Sequence, residues 1–291
     1  MDIEHTRQDW TPPLPPEKII PSPITPNNPP WNGWVAIGYW VLSVLFIVFV
    51  PAVFLFPYIL SRGIDVRNQQ AIMEFARTDP TAIILQLAPV ILAHLLTIGA
   101  GWFIVTRFNR YSFRETLGWK MGGFKWWHAV AITIGFYALA LLMTSIFGRV
   151  ENEFEKLISA SRIAVYIVAF LATFTAPLVE EVVYRGVVYS AFQRKFGITV
   201  SIVVVTILFT IVHVPQYSQN NIPDFASVFT LLMLSLSLTL IRAWTGNLLP
   251  CIVLHTIFNG LQSLALLLEP YIQSAPDPTV SPTGLLMHLF K

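Results

Sequence analysis

Three short clusters of ionisable residues stand inside apolar sequence: Glu180-Glu181-Val182-Val183-Tyr184-Arg185, Phe209-Thr210-Ile211-Val212-His213 and His255-Thr256-Ile257-Phe258-Asn259. A charge in the middle of a membrane helix costs roughly 2.5–3.5 kcal/mol even on insertion-based scales, so an intramembrane carboxylate pair is by default a functional feature. The residue types suit acid–base chemistry. A desolvated carboxylate is a general base. An asparagine amide is a neutral donor to a developing oxyanion, and an imidazole can donate beside it or bind a metal.

Spacing sorts the roles. Glu181 and Arg185 are i and i+4 on one helix face and can form an ion pair, which makes Glu181 and Arg185 supporting residues. Glu180 points about 100° away around the helix and is left free to act as the base. His255 and Asn259 also share a face, as do Phe209 and His213, with Phe209 read as packing beside the site. Each polar group alone reads as interhelical glue. Glu, Glu, Arg, His, His and Asn together at these spacings read as one site.

Those residues need helices that bring them to one depth. Glu180 and His213 lie symmetrically about Phe196-Gly197, 16 to 17 residues from that pair. A helical hairpin turning at Gly197 would set both roughly 24 Å from the turn, carboxylate facing imidazole. The rest of the chain fits a membrane bundle. Of 291 residues, 55% are hydrophobic and only 12% charged, about half the charge of a soluble domain. The fold class is an all-α polytopic membrane protein, a bundle of about seven to eight transmembrane helices. Seven apolar runs of span length are 34–60, 81–105, 127–147, 163–195, 199–214, 225–241 and 248–268. An eighth would require a tail or 107–127 to dip into the bilayer. No internal repeat is present.

The chain divides into a Pro-rich tail (1–33), N-terminal spans with an interfacial segment (34–160), a core (161–270) and a short C-terminal tail (271–291). Nine prolines in the first tail predict an extended or disordered segment. Residues 1–31 lack the basic-then-apolar pattern of a signal peptide. Residues 107–125 interleave Arg and Lys with Tyr, Phe and Trp, as interfacial segments on anionic headgroups do. The net charge of +2 is too small to suggest nucleic acid. Cys251, the single cysteine, excludes an internal disulfide, and a small apolar helix position accounts for it. His94, alone in the second run, reads as packed or water-facing. Lys and Arg number 11 on the N-terminal side against 7 on the other, which favours a cytoplasmic N-terminus.

The ordered set Glu-Glu-x-x-x-Arg (180–185), Phe-x-x-x-His (209–213) and His-x-x-x-Asn (255–259) resembles the CAAX protease and bacteriocin-processing (CPBP or "Abi") family, which includes the type II CAAX prenyl endopeptidase. The resemblance covers about residues 160–265. It implies an intramembrane endopeptidase in which Glu180 and His213 activate water while His255 and Asn259 hold the oxyanion. It implies as substrate a membrane-anchored or lipidated protein or peptide at the bilayer, prenylated on a CAAX-type terminus or bearing a leader. The expected place is the cell membrane of a prokaryote. The family is often labelled metalloprotease, and Glu180, His213 and His255 offer a donor set for Zn²⁺ with one position open to water. The reading adopted requires no metal. Two other classes stay open: a non-catalytic scaffold or immunity protein, and an ion-coupled transporter, since Glu and His chains also mark ion paths.

Overall fold

The computed structural model describes residues 23–148, 152–159, 161–219 and 222–273; residues 1–22 and 274–291, most of the two expected tails, lie outside them. The protein is an all-α polytopic membrane bundle. In chain order its helices are α1 (Gly33–Ser61), α2 (Gln69–Thr78), α3 (Pro80–Leu87), α4 (Val90–Thr106), α5 (Phe113–Leu117), α6 (Trp126–Phe147), α7 (Glu153–Ser159), α8 (Arg162–Phe170), α9 (Ala176–Glu181), α10 (Tyr189–His213), α11 (Phe225–Thr245) and α12 (Leu249–Gln273). A two-stranded hairpin, β1 (Ser218–Gln219) with β2 (Ile222–Pro223), precedes α11.

Among the described residues, six helical stretches are long and apolar enough to cross a membrane. One of them, Arg162–His213, has 52 residues, about 78 Å if straight, against a hydrocarbon core of about 30 Å. It is not straight: Gly197 leaves the helix with φ 82° and ψ 175°, a conformation that costs glycine little. The stretch therefore folds into two legs, as the hairpin spacing predicts. Three details differ from expectation. The second span is broken between α3 and α4, where Pro89 lacks an amide to donate. The last helix carries Pro270 inside it and runs on to Gln273, because one missing hydrogen bond does not end a helix near its terminus. Residues 107–125 hold only the five-residue α5.

The leg from α8 to the start of α10 is the axis of the bundle. Every residue from 181 to 191 is buried, as expected of a helix enclosed on all sides. Val182, Val183, Val187 and Val188 pack there with Val105, Leu117, Phe209 and Leu248. Lipid-facing surfaces of α1 expose Val48, Phe49, Val53 and Phe54 instead.

Residues 23–32, the described part of the tail expected to be extended or disordered, carry no helix and are tied to the bundle. Trp31 is 2% exposed, and its Nε1–H donates to Val187 O at 3.0 Å. Arg194 donates to the carbonyls of Pro29 and Trp31, and Arg107 to that of Pro30. Arg242 donates to Pro26 O (2.7 Å) and Asn27 Oδ1 (2.9 Å). Prolines free their neighbours' carbonyls from helix or sheet, and arginine forks take them. Arg185 and Arg242 are both fully buried, so neither is a loop charge. Without them the Lys/Arg balance falls to 9 against 7, a weaker orientation signal than the sequence count.

Trp31→Ala should lower the unfolding free energy in detergent by about 3 kcal/mol, whereas Trp34→Ala, at a residue 83% exposed, should leave it unchanged; chemical or thermal unfolding of the purified variants measures both.

Candidate active site

The site is built on a helix that departs twice from α geometry. Leu171–Thr175 and Val182–Val188 are π-helical and flank α9, which carries both glutamates. Pro177 is one cause. The Ala176 amide reaches back to Leu171 O, and Pro177 has no amide to offer the next carbonyl. Ala172 O is thus freed and accepts from Asn259 Nδ2 at 3.0 Å. Such bulges are frequent at functional sites because they re-aim side chains.

Glu181 is fully buried, and its Oε1 is shared. Arg185 Nη1 donates to it at 2.8 Å, as the i, i+4 spacing predicts, and His255 Nδ1 donates to it at 2.8 Å from α12. Glu181 Oε2 has no partner among the described residues. Arg185 extends the cluster into α11, donating to Thr239 Oγ1, Ser235 O and Ser235 Oγ. Its guanidinium lies 4.7 Å from the Phe209 ring centroid, a cation–π contact.

Glu180 faces the other way. His213 Nε2 lies 3.9 Å from its Oε1 and His255 Nε2 lies 3.9 Å from its Oε2. These are longer than hydrogen bonds, so one carboxylate sits between two imidazoles without a direct bond to either. Glu180 is 23% exposed and His213 20%, whereas His255 and Glu181 are closed off.

The opposite ring nitrogens fix the tautomers. His213 Nδ1 lies 2.7 Å from Phe209 O. A carbonyl only accepts, so Nδ1 carries the proton and the neutral ring presents a bare Nε2 to Glu180. Phe209 also stacks on that ring, centroids 4.6 Å apart. It does more than pack: it orients His213 through both face and carbonyl. His255 Nδ1 is held by a carboxylate, so its Nε2 carries a proton only in the imidazolium form. Asn259 is tied to Ala172 O by one amide hydrogen, and its second remains to donate. A water donating one hydrogen to Glu180 and one to His213 Nε2 fits two acceptors 3.9 Å apart.

Sequence spacing thus brings Glu180, Glu181, Arg185, Phe209, His213 and His255 into one cluster, with Asn259 one turn further along α12. It did not reveal the supports. Ser235, Thr239 and Arg242 follow one another at helical spacing on α11, a polar stripe legible in principle. His94, Thr175 and Trp40 carry no motif. Trp40 Nε1–H donates to Tyr184 Oη at 3.2 Å. Tyr217, in the loop after His213, is pushed up to about 12 by burial and by the carboxylates of Glu180, Asp224 and Glu155, so its hydroxyl stays a donor at neutral pH.

Among the described residues, no group of three or more His, Cys, Asp or Glu side chains converges so as to hold a metal ion. His255 has committed Nδ1 to Glu181, and the two Nε2 atoms address different oxygens of Glu180.

Residues 162–261 match the family described as type II CAAX prenyl endopeptidase Rce1-like. The match contains all seven motif residues from Glu180 to Asn259 and none of α1 to α7. No curated protein and no solved structure gives a significant match.

Glu181→Gln should destabilise the protein by about 3–5 kcal/mol, since it strips a buried guanidinium of its charge partner. Glu180→Gln, at a partly exposed group without direct hydrogen bonds, should cost under about 1 kcal/mol. Parallel unfolding curves of the two variants test this contrast between adjacent carboxylates.

Proposed function

We propose that the chain, whose residues 162–261 match the type II CAAX prenyl endopeptidase Rce1-like family, hydrolyses a peptide bond of a membrane-anchored or lipidated protein, using Glu180 as general base. The observation that carries this reading is the Glu180 carboxylate between two imidazole Nε2 atoms, each 3.9 Å away, both rings fixed through their Nδ1 atoms.

In this reading a water lies between Glu180 Oε1 and His213 Nε2, giving one hydrogen to each. Its oxygen attacks the scissile carbonyl carbon while Glu180 takes the proton. The carbonyl oxygen becomes an oxyanion. Asn259 donates its remaining amide hydrogen to it, and His255 donates from Nε2 as an imidazolium balanced by Glu181 behind it. Collapse of the intermediate breaks the C–N bond, and the proton held by Glu180 passes to the leaving amine. Glu181, Arg185 and Phe209 hold the geometry. The cell membrane of a prokaryote, with the N-terminus in the cytoplasm, completes the proposal; the substrate's anchor delivers its peptide to the depth of Glu180.

Cells making wild type and Glu180→Ala at equal levels should differ in peptide termini mapped by mass spectrometry, with new termini only in the wild type. Identical termini from two folded, abundant proteins would remove the endopeptidase reading. Asn259→Ala should lower kcat on a substrate so identified by about 10²–10³-fold. Activity should survive EDTA and 1,10-phenanthroline; loss on chelation with recovery on zinc would overturn the role given to Glu180.

A further inference from the structure

The working carboxylate lacks any direct hydrogen bond. Two imidazoles lie 3.9 Å from Glu180, and both present bare nitrogens when neutral. A general base must be held in one orientation, so something else must fix this one. A third imidazole, His94, comes from α4, which packs on the helix that carries Glu180.

His94 comes from α4, outside the family match, and is 6% exposed. Its Nδ1 lies 2.8 Å from Thr175 Oγ1. The Thr175 hydroxyl donates its own proton to Leu171 O at 3.2 Å. It therefore accepts from His94, and Nδ1 is the N–H of the neutral ring. Nε2 then carries a bare lone pair, and it has no hydrogen-bond partner among the described residues. The ring is buried, but this nitrogen is not wholly closed off. Glue between helices needs only one bond, and Nδ1 supplies it; the open Nε2 needs a wet neighbour. α4 packs directly on α9 and on the π segment before it, and His94 lies within electrostatic reach of Glu180.

We infer that His94 is a positioning residue of this site, acting from Nε2 through a shared water on the Glu180 carboxylate. The water donates one hydrogen to each, and Thr175 sets the tautomer that makes this work. The inference rests on the endopeptidase reading above, and it assigns to the N-terminal half a part in the chemistry of the C-terminal half.

Two substitutions separate this role from glue. His94→Asn keeps an amide donor at the Nδ1 position for Thr175 and deletes the distal nitrogen. His94→Gln keeps a polar atom at the Nε2 position. On the substrate identified by terminus mapping, kcat should fall about 10- to 100-fold in His94→Asn and His94→Ala, with KM unchanged and partial recovery in His94→Gln. Thr175→Val should fall like His94→Asn, and Thr175→Ser should not. Full activity in His94→Asn, or a folded His94→Gln no better than His94→Ala, overturns the inference. Glu180→Ala, run alongside, distinguishes the two failures. If it still cleaves, the base role given to Glu180 in the reading above is wrong; if it is silent while His94→Asn is fully active, only the role of His94 falls.

Discussion

Two hydrogen bonds to a single oxygen, Glu181 Oε1, join three walls of the bundle. Arg185 comes one turn along the same helix and reaches into α11; His255 comes from α12. All three side chains are nearly or wholly excluded from solvent. Taking such charges out of water costs several kcal/mol per ion, and a well-packed apolar replacement is often as stable. Stability alone therefore does not explain the cluster. What an apolar replacement could not do is hold an imidazole in one tautomer with its far nitrogen aimed at a second carboxylate. The cluster makes sense as the support of His255, and through it of the space beside Glu180.

Adjacent glutamates in a helix point about 100° apart, so one can be wholly inside while the other meets a cavity. Here that rotation divides the labour. Glu181 is saturated with cations and fixed. Glu180 is partly exposed and makes no direct bond. The π segments on either side reinforce the division. The first, induced around Pro177, releases Ala172 O to anchor Asn259; the second carries Arg185 across to α11. A regular α-helix would satisfy those carbonyls within itself and leave Asn259 without that anchor.

Much of this was legible because helix geometry is nearly constant. Rise per residue places Glu180 and His213 at one depth once Gly197 turns the chain, and i, i+4 spacing pairs Glu181 with Arg185. What stayed hidden depends on contacts between elements far apart in sequence. Glu181 read as a partner of Arg185 alone, since nothing local announces His255, 74 positions away. Phe209 read as packing, since the role of its carbonyl depends on the rotamer of His213. Ser235 and Thr239 disappear among the serines and threonines that ordinarily glue membrane helices. The ties of residues 23–32 stayed hidden for a related reason. Proline density forbids regular structure, but it does not forbid order where buried arginines seek bare carbonyls, as Arg242 and Arg194 do at Pro26, Pro29 and Trp31.

The N-terminal helices lie outside the family match, yet they are bonded to its centre at three levels. Trp31 reaches Val187, Trp40 reaches Tyr184 and His94 reaches Thr175. Val187 and Tyr184 belong to the distorted stretch just after the glutamates, and Thr175 to the one just before. These helices therefore touch the helix of the two glutamates where it is least regular, and where a small shift would re-aim Glu180. A core that carries the motif alone would have its carboxylates but not their bearings. The N-terminal half is thus the part of the chain through which the sequence can change the precision of the site without changing a motif residue.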